Sequence, residues 1–380
     1  MWVILVKKLL IKFNRFIRKI LKKRTKQYKI LLFCSSDTMK NHIIDFYNIC
    51  QKNSKDYEFY LYSTIDFDIA NTIKVNSIYN IYFNYYDLVV TADLDLPFFL
   101  INTKSLFINH GLHIVRDVNS LNDILYTYGS SSLLFGKPRY TKMLESNFRI
   151  AQNIKRDIPM FADVIESVGY KFSENISNSV SNSIEYRKQF NFSETDQIVV
   201  IFSTWGKESL FHKIGDSLLL ECKRLVKSNP NYKIVLSNHP KEYTNYSNEV
   251  QNNGQYIERF VEKEKNFFIR KPGDDFVPYF SIADVIISDY STMTELALIS
   301  DKPIIISDFD SNIISKYSLL KKMTNVFPTF YRDSNLLEKI EESKMFNKNS
   351  EYSELKNEIF IERKKYENKV LKITDNLLKR

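Results

Sequence analysis

From Tyr28 onward the chain alternates short runs of aliphatic, β-branched and aromatic residues with longer stretches whose apolar positions recur at helical spacing. "KILLFCSS" (29–36) reads as a buried strand closed by small polar residues. Asp37–Asn53 reads as the helix after it, with Asp37 placed to cap it. "YEFYLYST", "YDLVVTAD" and "SLFINHG" have the same strand character, and each ends in a polar cluster. Residues 140–195 are polar and irregular, with "SENISNSVSNSIEY" the nearest thing to a connector. The alternation then restarts. "QIVVIFSTW" is a strand, 211–227 a helix, "YKIVLSNHP" a strand, and "FVPYFSIADVIISDYS" a short helix before another strand. "STMTELALIS" follows as a helix and "KPIIISDFD" as a last strand, before a charged helical tail over 333–380. Such alternation predicts parallel sheets covered by helices. The expected architecture is α/β, with two doubly wound, Rossmann-like domains at 27–165 and 190–332 facing a cleft.

Length agrees, since 380 residues exceed what one hydrophobic core usually serves. Eight glycines and nine prolines argue against long flexible linkers, and no repeat period is present. Cys34, Cys50 and Cys222 lack CxxC spacing, so neither a disulfide scaffold nor a metal site is expected.

Charge adds a third element. Of 54 basic residues, ten fall in residues 1–26 with no acid among them, leaving 44 against 45 acidic residues elsewhere. In "MWVILVKKLLIKFNRFIRKILKKRTK" the apolar residues keep helical spacing and the cations fill the opposite face. The leading apolar run is too short to span a bilayer, and no signal-peptide cleavage pattern follows. A basic amphipathic helix lying on an anionic membrane surface is the expectation, ahead of a helix packed on the protein's own body. Nucleic acid is not an expected partner, because no basic patch or recognisable module lies elsewhere.

The polar clusters "NHG", "STWGK", "SNHP" and "SDYST" each fall at the carboxyl end of an expected strand, where open α/β sheets bind ligands. His110 thus closes a strand at a ligand-facing edge, with Gly111 letting the chain turn and His113 just beyond. In "ISDYSTMTELA", Ser291 and Thr292 open a helix after Asp289. They read equally as a phosphate-binding helix start with Glu295 on a ribose hydroxyl, or as a plain capping box. His239 and Lys241 supply two potential cations beside it. Ser203, Thr204 and the Gly206 N–H are further candidate anion donors. No Gly-rich dinucleotide fingerprint, Walker loop, metal-ligand spacing or nucleophile elbow occurs, so no cofactor is expected.

In order and spacing, "NHG", "STWG", "SNHP" and "ADVIISDYSTMTELALISDKPIII" resemble the CDP-glycerol glycerophosphotransferase family of teichoic-acid and capsule synthesis, over roughly residues 29–330. The resemblance implies a GT-B-like enzyme that moves glycerol phosphate, or a related polyol phosphate, from a CDP-activated donor to a lipid-linked or polymer acceptor, releasing CMP. It implies that His110 is the base for the acceptor hydroxyl. It further implies that His239 contacts the donor pyrophosphate, and that Ser291, Thr292 and Glu295 hold the donor's phosphates or ribose. The chain departs from the family pattern at three positions: Asn109 replaces a frequent aromatic, Lys241 a frequent Arg, and Thr292 a frequent Ser. With the basic segment, the expected location is peripheral, on the cytoplasmic face of the membrane. A nucleotide-sugar glycosyltransferase or epimerase of the same fold, and a catalytically silent membrane-attached binding protein, are the competing readings.

Overall fold

The structure is a computed structural model. It describes residues 27–36, 39–53, 56–93, 103–109, 120–128, 132–134, 136–243, 253–271, 274–308, 319–345 and 350–379. The basic segment 1–26 and the capping residue Asp37 lie outside the described residues. The chain divides into two compact units: of the described residues, one takes those up to Gly169 and again from Lys364, the other those from Tyr170 to Arg363.

In the first unit the strands are β1 (Tyr28–Cys34), β2 (Tyr57–Ser63), β3 (Ile73–Lys74), β4 (Leu88–Thr91) and β5 (Lys104–Ile108). A small antiparallel hairpin of β6 (Leu133–Leu134) and β7 (Lys137–Pro138) follows, and then β8 (Lys142–Glu145) and β9 (Ile165–Ser167). Among the described residues they form a seven-stranded sheet in the order β3-β2-β1-β4-β5-β8-β9, parallel throughout. β1 is buried from Ile30 to Cys34, the continuous apolar run of a strand covered on both faces. The helix Arg363–Lys379 also belongs to this unit, burying Tyr366, Val370, Thr374, Leu377 and Leu378. Asp375 accepts a hydrogen bond from the Tyr57 hydroxyl, and Lys104 Nζ donates to the Leu377 carbonyl.

The second unit holds β10 (Gln197–Ser203), β11 (Tyr232–Asn238), β12 (Phe267–Ile269), β13 (Val285–Ser288), β14 (Ile304–Ser307) and β15 (Thr329–Phe330). Among the described residues these form a six-stranded parallel sheet in the order β12-β11-β10-β13-β14-β15. The helix Thr292–Ile299 is buried from Thr294 onward and apolar nearly all round, as suits a helix inside a core rather than on a surface. Beneath it Phe202 stacks on Phe280 with ring centroids 4.8 Å apart.

The alternation thus predicts the parallel α/β class correctly, while 140–195 is not the irregular connector it reads as. It contains β8, β9 and the helices Phe148–Asp157, Ser173–Ser179 and Ser183–Gln189. The helix expected over 211–227 is two, Leu210–Lys213 and Gly215–Ser228. The tail is divided as well: Leu336–Lys344 and Ser350–Asn357 lie in the second unit, Arg363–Lys379 almost wholly in the first.

Candidate functional site

Parallel pairing brings the carboxyl ends of β10, β11, β12, β13 and β14 to one edge of the second sheet, and the polar clusters fall there. His239 follows β11 directly. Its Nδ1 accepts the Lys241 N–H at 3.1 Å, and its backbone N–H donates to the Ser203 carbonyl at 3.1 Å. With Nδ1 an acceptor, the neutral ring carries its proton on Nε2. Burial pushes the ring down to about 4, with the Lys241 and Arg270 charges acting the same way against Glu242. His239 is therefore a neutral N–H donor at working pH.

Around it stand two cations and an indole. Lys241 Nζ lies 4.0 Å from the centre of the Trp205 ring, and Trp205 itself is 39% exposed. Arg270, just past β12, donates through Nε to Ser237 Oγ at 2.8 Å and through Nη1 to the Asp274 carbonyl at 2.7 Å. Asn238 is 1% exposed, and its side chain, beside the Tyr243 hydroxyl, closes no hydrogen bond of ordinary geometry. The Ser307 hydroxyl at the end of β14 is likewise buried and unbonded. Buried polar atoms normally find partners, and these two lie at strand ends on the same sheet edge.

Ser291 is the N-cap of the helix Thr292–Ile299, yet its side chain makes no capping bond, lying instead 3.2 Å from Ser288 Oγ. Thr294 carries its own hydroxyl to the Asp289 carbonyl. Glu295 is completely buried inside the core, one turn beyond. The capping box is absent, and the first N–H groups of the helix keep no side-chain cap. That is the state in which a helix start holds an anion.

Among the expected anion donors, the Ser203 hydroxyl, the Thr204 N–H and the Gly206 N–H are engaged within the fold. The Ser203 hydroxyl hydrogen-bonds to Asp289 Oδ2 at 3.3 Å, and the Thr204 N–H donates to the same oxygen at 2.8 Å, as does the Leu210 N–H at 3.1 Å. The Gly206 N–H donates to Glu242 Oε1 at 3.0 Å, while Glu242 Oε2 takes the Asn253 N–H at 3.2 Å and lies 3.3 Å from His212 Nε2. Two buried carboxylates satisfy these donors because a backbone N–H left unpaired costs more than the hydrogen bond is worth. Asp289 is pushed up to about 6 by burial, against the hydrogen bonds of Leu210, Thr204 and Ser203. The Ser291 hydroxyl also lowers it, although Oδ1 closes no hydrogen bond of ordinary geometry. "STWG" is thus a braced loop that presents Trp205, and Asp289 and Glu242 are its braces.

Gly206 sits at φ +92°, with nothing within 4 Å of where a Cβ would stand. Gly206→Ala is therefore expected to cost about 1–2 kcal/mol from backbone strain alone. A lowered unfolding midpoint measures it; an unchanged midpoint would mean that the loop does not hold this turn.

His110, Gly111 and His113 lie outside the described residues. Asn109, the last described position before them, donates from Nδ2 to Glu145 Oε2 at 2.8 Å, and its N–H pairs with the Leu144 carbonyl at 3.1 Å. The Tyr128 hydroxyl donates to the same carboxylate oxygen, and the Asn147 N–H reaches Oε1 at 2.9 Å. Burial pushes Glu145 up to about 7 against these bonds. The sequence pattern passes over Glu145, Asn238, Glu242 and Arg270. The signal available for three of them is their place at or beside a strand's carboxyl end.

Two units, each built on a parallel sheet covered by helices, give the chain a GT-B-like α/β fold. The chain belongs to the CDP-Glycerol:Poly(glycerophosphate) glycerophosphotransferase family, whose profile matches residues 102–368. It is a CDP-glycerol glycerophosphotransferase by that membership. No curated protein matches the chain.

The fold is shared with a variant of the wall teichoic acid polymerase TagF soaked with CDPG. That structure has 15% identity and a TM-score of 0.64, covering 98% of this chain and 96% of that one. The UDP-GlcNAc 2-epimerase from Methanocaldococcus jannaschii has 12% identity and a TM-score of 0.57, covering 91% and 99%. The UDP-GlcNAc 2-epimerase from Neisseria meningitidis bound to UDP-GlcNAc has 15% and 0.56, covering 93% and 100%. At these identities the likeness is one of fold.

Proposed function

We propose that this enzyme transfers glycerol phosphate, or a related polyol phosphate, from its CDP-activated donor to a surface-polymer acceptor borne on membrane lipid, releasing CMP. The observation that carries the reading is the neutral His239, its Nε2–H beside Lys241 and Arg270 at a sheet edge that also holds the uncapped helix start at Ser291 and Thr292. An acceptor hydroxyl attacks the phosphorus that bears the polyol, and the bond from that phosphorus to the CMP oxygen breaks. His110 takes the hydroxyl proton, and the charge gathering on CMP is met by the His239 N–H, the two cations and the helix start. Release of CMP by the full chain supplied with CDP-glycerol, CDP-ribitol or UDP-sugars tests this. Release of UMP or UDP from a sugar donor, with none from the CDP-polyols, would overturn it.

The location follows from residues 1–26, whose ten cations and apolar stripe suit the anionic cytoplasmic face of the membrane, held peripherally. Each cation near such a surface is worth about 1 kcal/mol. Deleting residues 1–26 is therefore expected to abolish co-sedimentation with anionic vesicles while donor turnover in solution persists. Vesicle binding that survives the deletion would place the anchor elsewhere.

A further inference from the structure

The Glu145 carboxylate is completely buried, yet the donor site makes no use of it. A buried ionisable group is a poor route to stability compared with an apolar side chain of its size. Among the described residues the groups that hydrogen-bond to it are donors: the Asn109 amide, the Tyr128 hydroxyl, and the N–H groups of Asn147 and Ser146. That set is complementary to a carboxylate, which accepts at both oxygens, and mismatched to the acid, which must donate from one.

Its place in the sheet is equally specific. Glu145 ends β8, and β8 pairs with β5 so that Leu144 stands opposite Ile108. Asn109 is therefore tied twice, by its N–H to the Leu144 carbonyl and by its side chain to Glu145. Where the family often carries an aromatic residue, this chain has an amide, and the amide's partner is this carboxylate. The next residue in the chain is His110.

We propose that Glu145 is a positioning residue of the transfer reaction: its carboxylate holds the amide of Asn109, the residue at the end of β5 that directly precedes His110 in the sequence. This rests on the reading of His110 as the base. Burial raises Glu145, and among the described residues the groups that work against it are Tyr128, from the helix Leu121–Tyr128, and the uncharged Asn147, Asn109 and Ser146. Tyr128 is itself held well above the usual tyrosine range by burial and by the Glu145 charge, so it remains a donor. A proton on Glu145 replaces one acceptor with a donor facing donors, and the Asn109 anchor is lost. The carboxylate is the active form, and turnover falls as the pH drops through its titration near neutrality.

The test compares initial rates of CMP release from CDP-glycerol by the full chain, from pH 5.5 to 9, for the parent, Glu145→Gln and Tyr128→Phe. Folding is checked by circular dichroism. Glu145→Gln keeps the volume and part of the bonding. It is expected to lower kcat about tenfold with the donor KM unchanged, and to remove the pH limb due to Glu145. Tyr128→Phe deletes a bond that favours the carboxylate, so the acid limb moves to higher pH. A side chain that merely fills space would move neither limb. A folded Glu145→Gln protein with the parental kcat and pH profile overturns the proposal. So does an unmoved limb in Tyr128→Phe, which decides the matter if the glutamine variant does not fold. If the parent releases no CMP from CDP-glycerol, the functional reading fails by itself, and the same variants are compared on whichever donor the parent turns over.

Discussion

Replacing His110 with alanine is expected to lower turnover about 10²- to 10⁴-fold, the usual span for a general base. An alcohol is a weak nucleophile at neutral pH, and an imidazole with an ordinary pKa near 6.5 is the side chain suited to take its proton there. Donor binding should survive, because the residues assigned to it lie in the other unit. His110→Asn keeps much of the size and hydrogen bonding but takes no proton, so it should be damaged nearly as much. His113→Ala, three residues on, should cost far less. Rates of CMP release for the two alanine variants decide between the histidines: a folded His110→Ala enzyme with near-parental turnover would remove the base from the mechanism.

The second large effect belongs to His239. His239→Ala deletes a half-buried donor to a charged phosphate, a loss of about 1.5 to 3 kcal/mol, or roughly tenfold to more than a hundredfold in donor kcat/KM. His239→Gln can place an N–H near the Nε2 position and should recover part of it. The ring is neutral down to about 4, so the parent's donor KM should show no limb from this residue between pH 5.5 and 8. The stability term has the opposite sign to that of a salt-bridged histidine. The unfolded ring binds its proton near 6.5 and the folded ring only near 4, so this contribution is present above 6.5 and lost as the pH falls toward 4. A donor KM that tracks a histidine-like titration would show that His239 works as a cation instead.

The strands that build both sheets are legible because most are uninterrupted apolar runs with nothing else to be. β8 and β9 are not, because "KMLE" and "IES" are short and carry polar residues into the interior. At β12 "FFI" is apolar but only three residues long, so it is missed, and with it Arg270 just beyond. Strand ends locate the clusters, but they do not say which donors inside a cluster are free. The Thr204 N–H is consumed by a carboxylate 85 positions away and the Gly206 N–H by one 36 positions away. No local periodicity encodes such pairings. The N-cap at Ser291 illustrates the reverse: its sequence allows a capping box, and tertiary packing sends Glu295 into the core instead.

The helix Arg363–Lys379 has a bearing on how the molecule is made. It completes the first unit, covering side chains such as Tyr57 whose own strands leave the ribosome hundreds of residues earlier. During synthesis the second unit, whose described residues all lie between Tyr170 and Arg363, has all its parts first. The first unit must wait with an uncovered apolar face until this helix emerges. Birth order and chain order are thus reversed, and the nascent chain's exposure to chaperones and proteases falls on the unit that was begun first.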